Sequence, residues 1–208
     1  MSSAEEIKNI FTRYNISITT EQSEQIFLYK QTLLVWNEKI NLISKPSVPL
    51  VDIMHLVDSA LPLSLIPDKG PIIDLGTGGG MPGIIIKILR PHLKVTLSET
   101  KTKKIKFLQN CLQILNLDGI DICNPAQEKP QRIYSLLVSR AFGTLRKIIQ
   151  ESTKYLKQDG IIAAYKGRNQ IIQEETNKLP GKYKVEILPY EFLNGDEKLE
   201  RNLVLIHN

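Results

Sequence analysis

Few cysteines, a single tryptophan and no long apolar run define this sequence by what it lacks. Cys111 and Cys123 have no metal-ligand spacing, and two thiols make a poor disulfide framework. The sequence therefore argues against a stapled secreted scaffold, and two reduced core thiols with no bound metal are expected. The longest apolar run falls far short of a membrane span. The opening residues, MSSAEEIKNIF, are polar and acidic and lack an h-region, so no signal peptide or membrane anchor is expected and a cytoplasmic protein is. Charge is not strongly of one sign. The 27 Lys and Arg against 22 Asp and Glu leave a net +5, which permits a polyanionic partner such as RNA without requiring one. What is present is ordinary for a soluble globular chain: 208 residues, 42% hydrophobic and 24% charged, enough to bury a proper core.

Two regions differ in periodicity. Residues 1–70 read as a helical extension packed on residues 71–208, the two forming one structural unit. In the extension, Thr19 followed by Gln22 fits a capping box. Ile26, Tyr29, Leu33, Trp36 and Ile40 recur at helical spacing, which predicts a core-facing stripe. SKPSVP reads as a loop, and VDIMHLVDSALPLSLI as a helix disturbed at Pro62. From residue 71 strands and helices alternate. The strands are PIIDLG, KVTLSE, GIDICN, SLLVSRA and, after an Asp159-Gly160 turn, GIIAAYKG. Helices are expected between them, one opening near Pro82 and one over residues 168–178. YKVEILPYEF and NLVLIHN close the chain as an antiparallel pair. This alternation predicts a mostly parallel α/β sheet covered on both faces.

Glycine is concentrated directly after the first strand, in IIDLGTGGGMPG. Each glycine gives up much backbone freedom on folding, so the cluster predicts a tight turn lying close to a ligand. Gly78, Gly80 and Gly83 satisfy the dinucleotide fingerprint only in a late register, because Gly76 is the first glycine after the strand. Asp74 at the strand tip suits a ligand carrying positive charge and hydrogen-bond donors better than a pyrophosphate. S-adenosylmethionine has both. The pattern Asp-x-Gly-x-Gly-x-Gly, with Asp74, Gly76 and Gly78, resembles motif I of class I methyltransferases. Glu99 ends the second strand, where a carboxylate can accept two ribose hydroxyls, a device that NAD enzymes share.

Several further segments occur in one order and spacing: WNEKINLIS, HLVDS, DLGTGGGMPGI, ETKTKKIKFL, SRAFGTL, YKG and ERNLVLI. Together they resemble the RsmG family, also called glucose-inhibited division protein B, which methylates guanine N7 in 16S ribosomal RNA. The resemblance implies a Rossmann-like class I methyltransferase fold with an N-terminal helical extension, S-adenosylmethionine as cofactor and the small ribosomal subunit as partner. It places Gly76 and Met81 in the cofactor loop, Ala126 and Gln127 beside the adenine, and Arg140 near the methionine end. Gln127 stands where the family shows a glutamate, with Glu128 next to it, and Gly79 stands where proline is common.

Methylation at N7 needs no proton removed, so no dedicated catalytic base is expected. His55 and Asp58, three apart on one helical face, could line the site. Asn124-Pro125-Ala126-Gln127 reads as a turn. RNA phosphates would be met by Lys103 and Lys104, in a basic run at a helix start, and by Lys166, Arg168 and Arg201. No dimer seam is visible, so a monomer is expected. Two other readings compete: an NAD-linked oxidoreductase, and a non-catalytic ribosome-assembly factor that retains an S-adenosylmethionine pocket.

Overall fold

Residues 3–167 and 169–207 are described by a computed structural model. Two helices open the chain, α1 (Ala4–Arg13) and α2 (Thr20–Asn37). Thr19 caps α2 by accepting from the Gln22 N–H, while the Gln22 side chain accepts from the Thr19 N–H, the reciprocal pair the sequence predicted. Ile26, Tyr29 and Leu33 are buried on its inner face. Trp36 meets Phe107 edge-on at 5.9 Å and donates from Nε1 to Asn110.

The next stretch departs from expectation. In SKPSVP, all but the leading Ser44 lies within a 3-10 helix, Lys45–Leu50, rather than an open loop. The predicted helix over residues 51–66 is three short geometries in succession: a π-helix (Asp52–Val57), a single α turn α3 (Asp58–Ala60) and a 3-10 turn (Leu61–Leu65). The ring of Pro62 removes a backbone donor, which favours the tighter final turn. Wide π geometry just before Asp58 is the kind of irregularity that often marks a functional position.

The remaining elements are β1 (Ile72–Leu75), α4 (Gly83–Leu89), β2 (Val95–Ser98), α5 (Thr102–Leu115), β3 (Ile120–Cys123), β4 (Tyr134–Arg140), α6 (Leu145–Ser152), β5 (Leu156–Lys166), α7 (Asn169–Asn177), β6 (Lys184–Asn194) and β7 (Glu197–His207). They form one seven-stranded sheet in the order β3-β2-β1-β4-β5-β7-β6. The first five strands pair in parallel, and β7 runs antiparallel between β5 and β6. The expected Asp159-Gly160 turn lies inside β5. Pairing jumps from Tyr134–Leu156 to Leu136–Ile161, so these residues form an irregular bulge in the strand instead of its start.

Side chains alternate between the two sheet faces with period two. Ile72, Leu136, Val138 and Ala163 join a core that includes Ile7, Phe11, Tyr29, Ile84 and Phe107, from the N-terminal helices, α4 and α5. Ile73, Leu137, Ile162 and Val204 join a second core with Leu145, Ile148 and Ile172, from α6 and α7. Among the described residues no helix is long and apolar enough to cross a membrane. Thr19→Ala removes one half of the cap on α2 and is expected to lower stability by about 1 kcal/mol, read as a lower urea midpoint at unchanged denaturant slope.

Candidate active site

The chain leaves β1 into a turn held from beneath by Asp74. That carboxylate is fully buried. Its Oδ2 accepts from the Thr77 hydroxyl at 2.6 Å and from the Gly83 N–H at 2.8 Å, while Oδ1 is buried with no partner. Burial pushes its pKa up to about 6, and the two hydrogen bonds oppose the rise. Asp74 therefore anchors the turn, and the structure turns it inward, away from the ligand side where the sequence reading placed it. The turn leaves some of its glycines no room for a side chain. A Cβ on Gly83 would sit 2.4 Å from Leu97 and 2.8 Å from Asp74 Oδ2. A Cβ on Gly76, whose φ is +68°, would strike the Phe142 ring at 2.3 Å.

Above this turn lies a cleft of about 430 Å³. Gly76, Thr77, Gly78 and Met81 form one wall; Arg140 and Ala141, at the end of β4, form another. His55 from the π-helical segment and Asp58 at the start of α3, with Leu42–Ser44, close the third side. The cleft thus sits at the C-terminal ends of the parallel strands, where open α/β sheets bind ligands. Arg140 Nη1 donates to the His55 carbonyl and to Asp58 Oδ2, each at 3.4 Å. Asp58 Oδ1 in turn accepts from the Tyr190 hydroxyl at 3.2 Å and lies 3.6 Å from Arg201 Nε. Burial raises the Asp58 carboxyl's pKa, against the pull of both guanidiniums and of Tyr190. His55 Nε2 lies 2.9 Å from Ser47 Oγ. Burial, with Arg140 nearby, lowers its pKa to about 4, so the ring is neutral at physiological pH. Ala141 holds a left-handed φ of +58°, uncommon for a residue other than glycine and a form of strain that clusters at active sites.

Other predicted residues separate into those the cleft gathers and those it does not. Glu99 is buried at the end of β2. Its Oε1 accepts from the N–H groups of Thr100 and Lys101, and its Oε2 from Gly78 at 3.2 Å, so it ties β2 to the glycine turn. Ala126 and Gln127 lie exposed in the predicted turn after β3, on the same sheet edge but outside the cleft lining. Lys104 reaches the cleft and also, with Lys103, Lys101, Lys39 and Lys45, lines a broad groove of about 870 Å³. Lys166 is not the free cation the sequence suggested: it donates to the Gly143 carbonyl and to Glu175, each at 2.8 Å. Arg168 lies outside the described residues. Sequence reasoning missed Tyr190, which stands 132 positions from Asp58, and the Leu42–Ser44 wall. Phe142 carried a signal, because it belongs to the SRAF block.

Comparison with known proteins shows the family and the fold. The family model for rRNA small subunit methyltransferase G matches residues 22–204. Ribosomal RNA small subunit methyltransferase G of Borreliella burgdorferi (strain ZS7) is 31% identical over 207 residues, covering 97% of this chain and 98% of that protein. The protein of the same name from Syntrophus aciditrophicus (strain SB) is 36% identical over 165 residues, covering 75% and 68%. A methyltransferase from Pyrococcus furiosus superposes with a TM-score of 0.56 at 16% identity, covering 85% of this chain and 96% of that one, a likeness of fold. The fold is the Rossmann-like class I methyltransferase fold.

The buried carboxyl of Asp74 gives the site a pH signature. Between 3.8 and about 6 the folded chain holds this proton more tightly than the unfolded chain, so the carboxyl's contribution to stability falls as pH rises through that window. Relative to Asp74→Asn, which cannot ionise, the wild type should lose about 2 kcal/mol of stability between pH 4 and pH 7, measured by urea unfolding at each pH.

Proposed function

Because the chain belongs to the rRNA small subunit methyltransferase G family, we propose that it transfers a methyl group from S-adenosylmethionine to N7 of a guanine in 16S ribosomal RNA. Membership of this family removes the competing reading of an NAD-linked oxidoreductase. The cleft fits the cofactor's chemistry. Arg140 is placed to meet the carboxylate of its amino-acid end and Asp58 the ammonium, while the glycine turn lets backbone approach the body of the nucleoside. Glu99 Oε2, with one backbone donor, keeps acceptor capacity for a ribose hydroxyl.

The observation that carries the choice of N7 is the state of the acids and the histidine in the cleft. Asp74 is turned inward, Asp58 is shared by two guanidiniums, and His55 is a weak base already bonded to Ser47. This arrangement suits an acceptor that has no proton to lose. The cofactor supplies a sulfonium methyl: the N7 lone pair forms the new bond, sulfur keeps the electron pair of the broken one, and positive charge passes to the base. The protein's part is to hold the reactants in line. In this reading the working unit is a monomer, as expected of a sequence with no visible dimer seam.

RNA would lie along the lysine groove. Its five lysines, Lys39, Lys45, Lys101, Lys103 and Lys104, make no ion pair with any described residue, and with a single acid, Glu38, in the lining they leave an excess of positive charge that suits a phosphate backbone. The joint variant Lys39→Ala, Lys45→Ala, Lys103→Ala should flatten the salt dependence of binding to small-subunit RNA by a slope of about 2, if that RNA is single-stranded at the contact. Titrations at several salt concentrations measure this.

The reaction itself is tested by incubating small subunits from a deletion strain with labelled S-adenosylmethionine. Label in the RNA, with borohydride and aniline cleavage mapping it to one guanine, is the expected result. Cofactor binding with no transfer would instead favour an assembly factor that retains the pocket.

A further inference from the structure

A second cavity, of about 340 Å³, abuts the glycine-turn cleft. The two share Asp58, Arg140 and Ala141 as a common wall. Its own lining adds Phe142, Tyr190 and Arg201. A methyl acceptor must lie within bonding approach of the donor, so its place is a space that touches the cofactor cleft. The lysine groove also touches that cleft, through Lys104, but flexible ammonium groups line it and suit phosphate. The second cavity has a different chemistry: its one lysine, Lys166, is tied to Gly143 and Glu175, the Phe142 ring lines one side with Lys147 Nζ 4.8 Å from its centre, and the Arg201 guanidinium is held in orientation.

Arg201 is fixed from several sides. Its Nε faces Asp58 Oδ1 at 3.6 Å, its Nη1 donates to the Glu200 carbonyl at 3.0 Å, and its guanidinium lies 5.6 Å from the Phe192 ring centre. Tyr190, paired with Arg201 across β6 and β7, braces the same carboxylate. Nη2 makes no hydrogen bond to a described residue. Such a donor suits a base edge that carries an acceptor. Guanine presents O6 beside N7, whereas adenine presents the N6 amino group there and would set donor against donor.

Resting on the methyltransferase reading above, we infer that the second cavity receives the acceptor guanine and that Arg201 reads its O6. A donor aimed at O6 leaves the N7 lone pair free for the methyl group. Arg140 and Arg201 then serve neighbouring ligands from opposite sides of one carboxylate, and Asp58 keeps the two in register.

The test uses subunits reconstituted with 2-aminopurine, which keeps N7 and lacks O6, at the mapped guanine. The wild type should methylate guanine about tenfold to a hundredfold faster than 2-aminopurine. Arg201→Ala should bring that ratio near one through a loss on guanine, while its affinity for S-adenosylhomocysteine stays within about threefold as a check on folding. Arg201→Lys, which retains a donor, should keep part of the ratio. An Arg201→Ala enzyme that discriminates as well as the wild type overturns the assignment and leaves the methyltransferase reading intact. A wild type that puts no methyl into RNA overturns both.

Discussion

Asp74 Oδ2 accepts from Thr77 and from the Gly83 N–H, and so closes the chain between β1 and α4 into a small hydrogen-bonded loop. The site depends on that closure. It brings α4 up against the strand tip so tightly that Gly83 has no room for a Cβ. It also leaves Gly78 facing Glu99, so that β2 is tied to the same turn through a second carboxylate. The arrangement is costly, because one oxygen of Asp74 is buried unpaired and its pKa rises in response. A carboxylate accepting two donors nevertheless fixes the turn better than a neutral acceptor would, since hydrogen bonds to a charged acceptor are the stronger kind.

Much of this fold was legible because it is written locally. The Thr19–Gln22 cap, the stripe of α2, the strand-to-glycine junction and the closing hairpin each depend on residues a few positions apart. Family blocks supplied the rest of the frame. Three features were not legible, for physical reasons. The inward turn of Asp74 depends on Thr77 and Gly83 competing with any ligand for one carboxylate. The neutralisation of Lys166 depends on Glu175, which helix α7 carries back against β5. The bulge in β5 is set by pairing with β4, whereas Asp159-Gly160 alone has the composition of a turn.

The Asp58 cluster shows the same limit at longer range. His55 and Asp58 could be nominated from spacing on one helical face, but not their partners. Tyr190 and Arg201 reach Asp58 only because β6 and β7 fold back beside β5 and bring the hairpin over the N-terminal segment. Its carboxylate thus joins three parts of the chain: the irregular helix late in the N-terminal extension, the end of β4 and the closing hairpin. The π geometry of residues 52–57 sets the phase of that helix just before Asp58.

A carboxylate shared by two arginines does more than neutralise them. Each guanidinium is a rigid planar fork, and anchoring one edge fixes where the remaining donors point. Arg140 lines both the glycine-turn cleft and the neighbouring cavity, Arg201 lines the second, and Ala141, in a left-handed conformation, belongs to the wall that the two share. For a reaction in which no proton moves, acceleration comes from alignment and from charge placed in advance. Side chains locked by packing and by hydrogen bonds from behind meet that demand, and strain tolerated at Ala141 is consistent with surroundings that over-determine the corner. On this view the buried acids and the bound histidine are the means by which the site holds its shape.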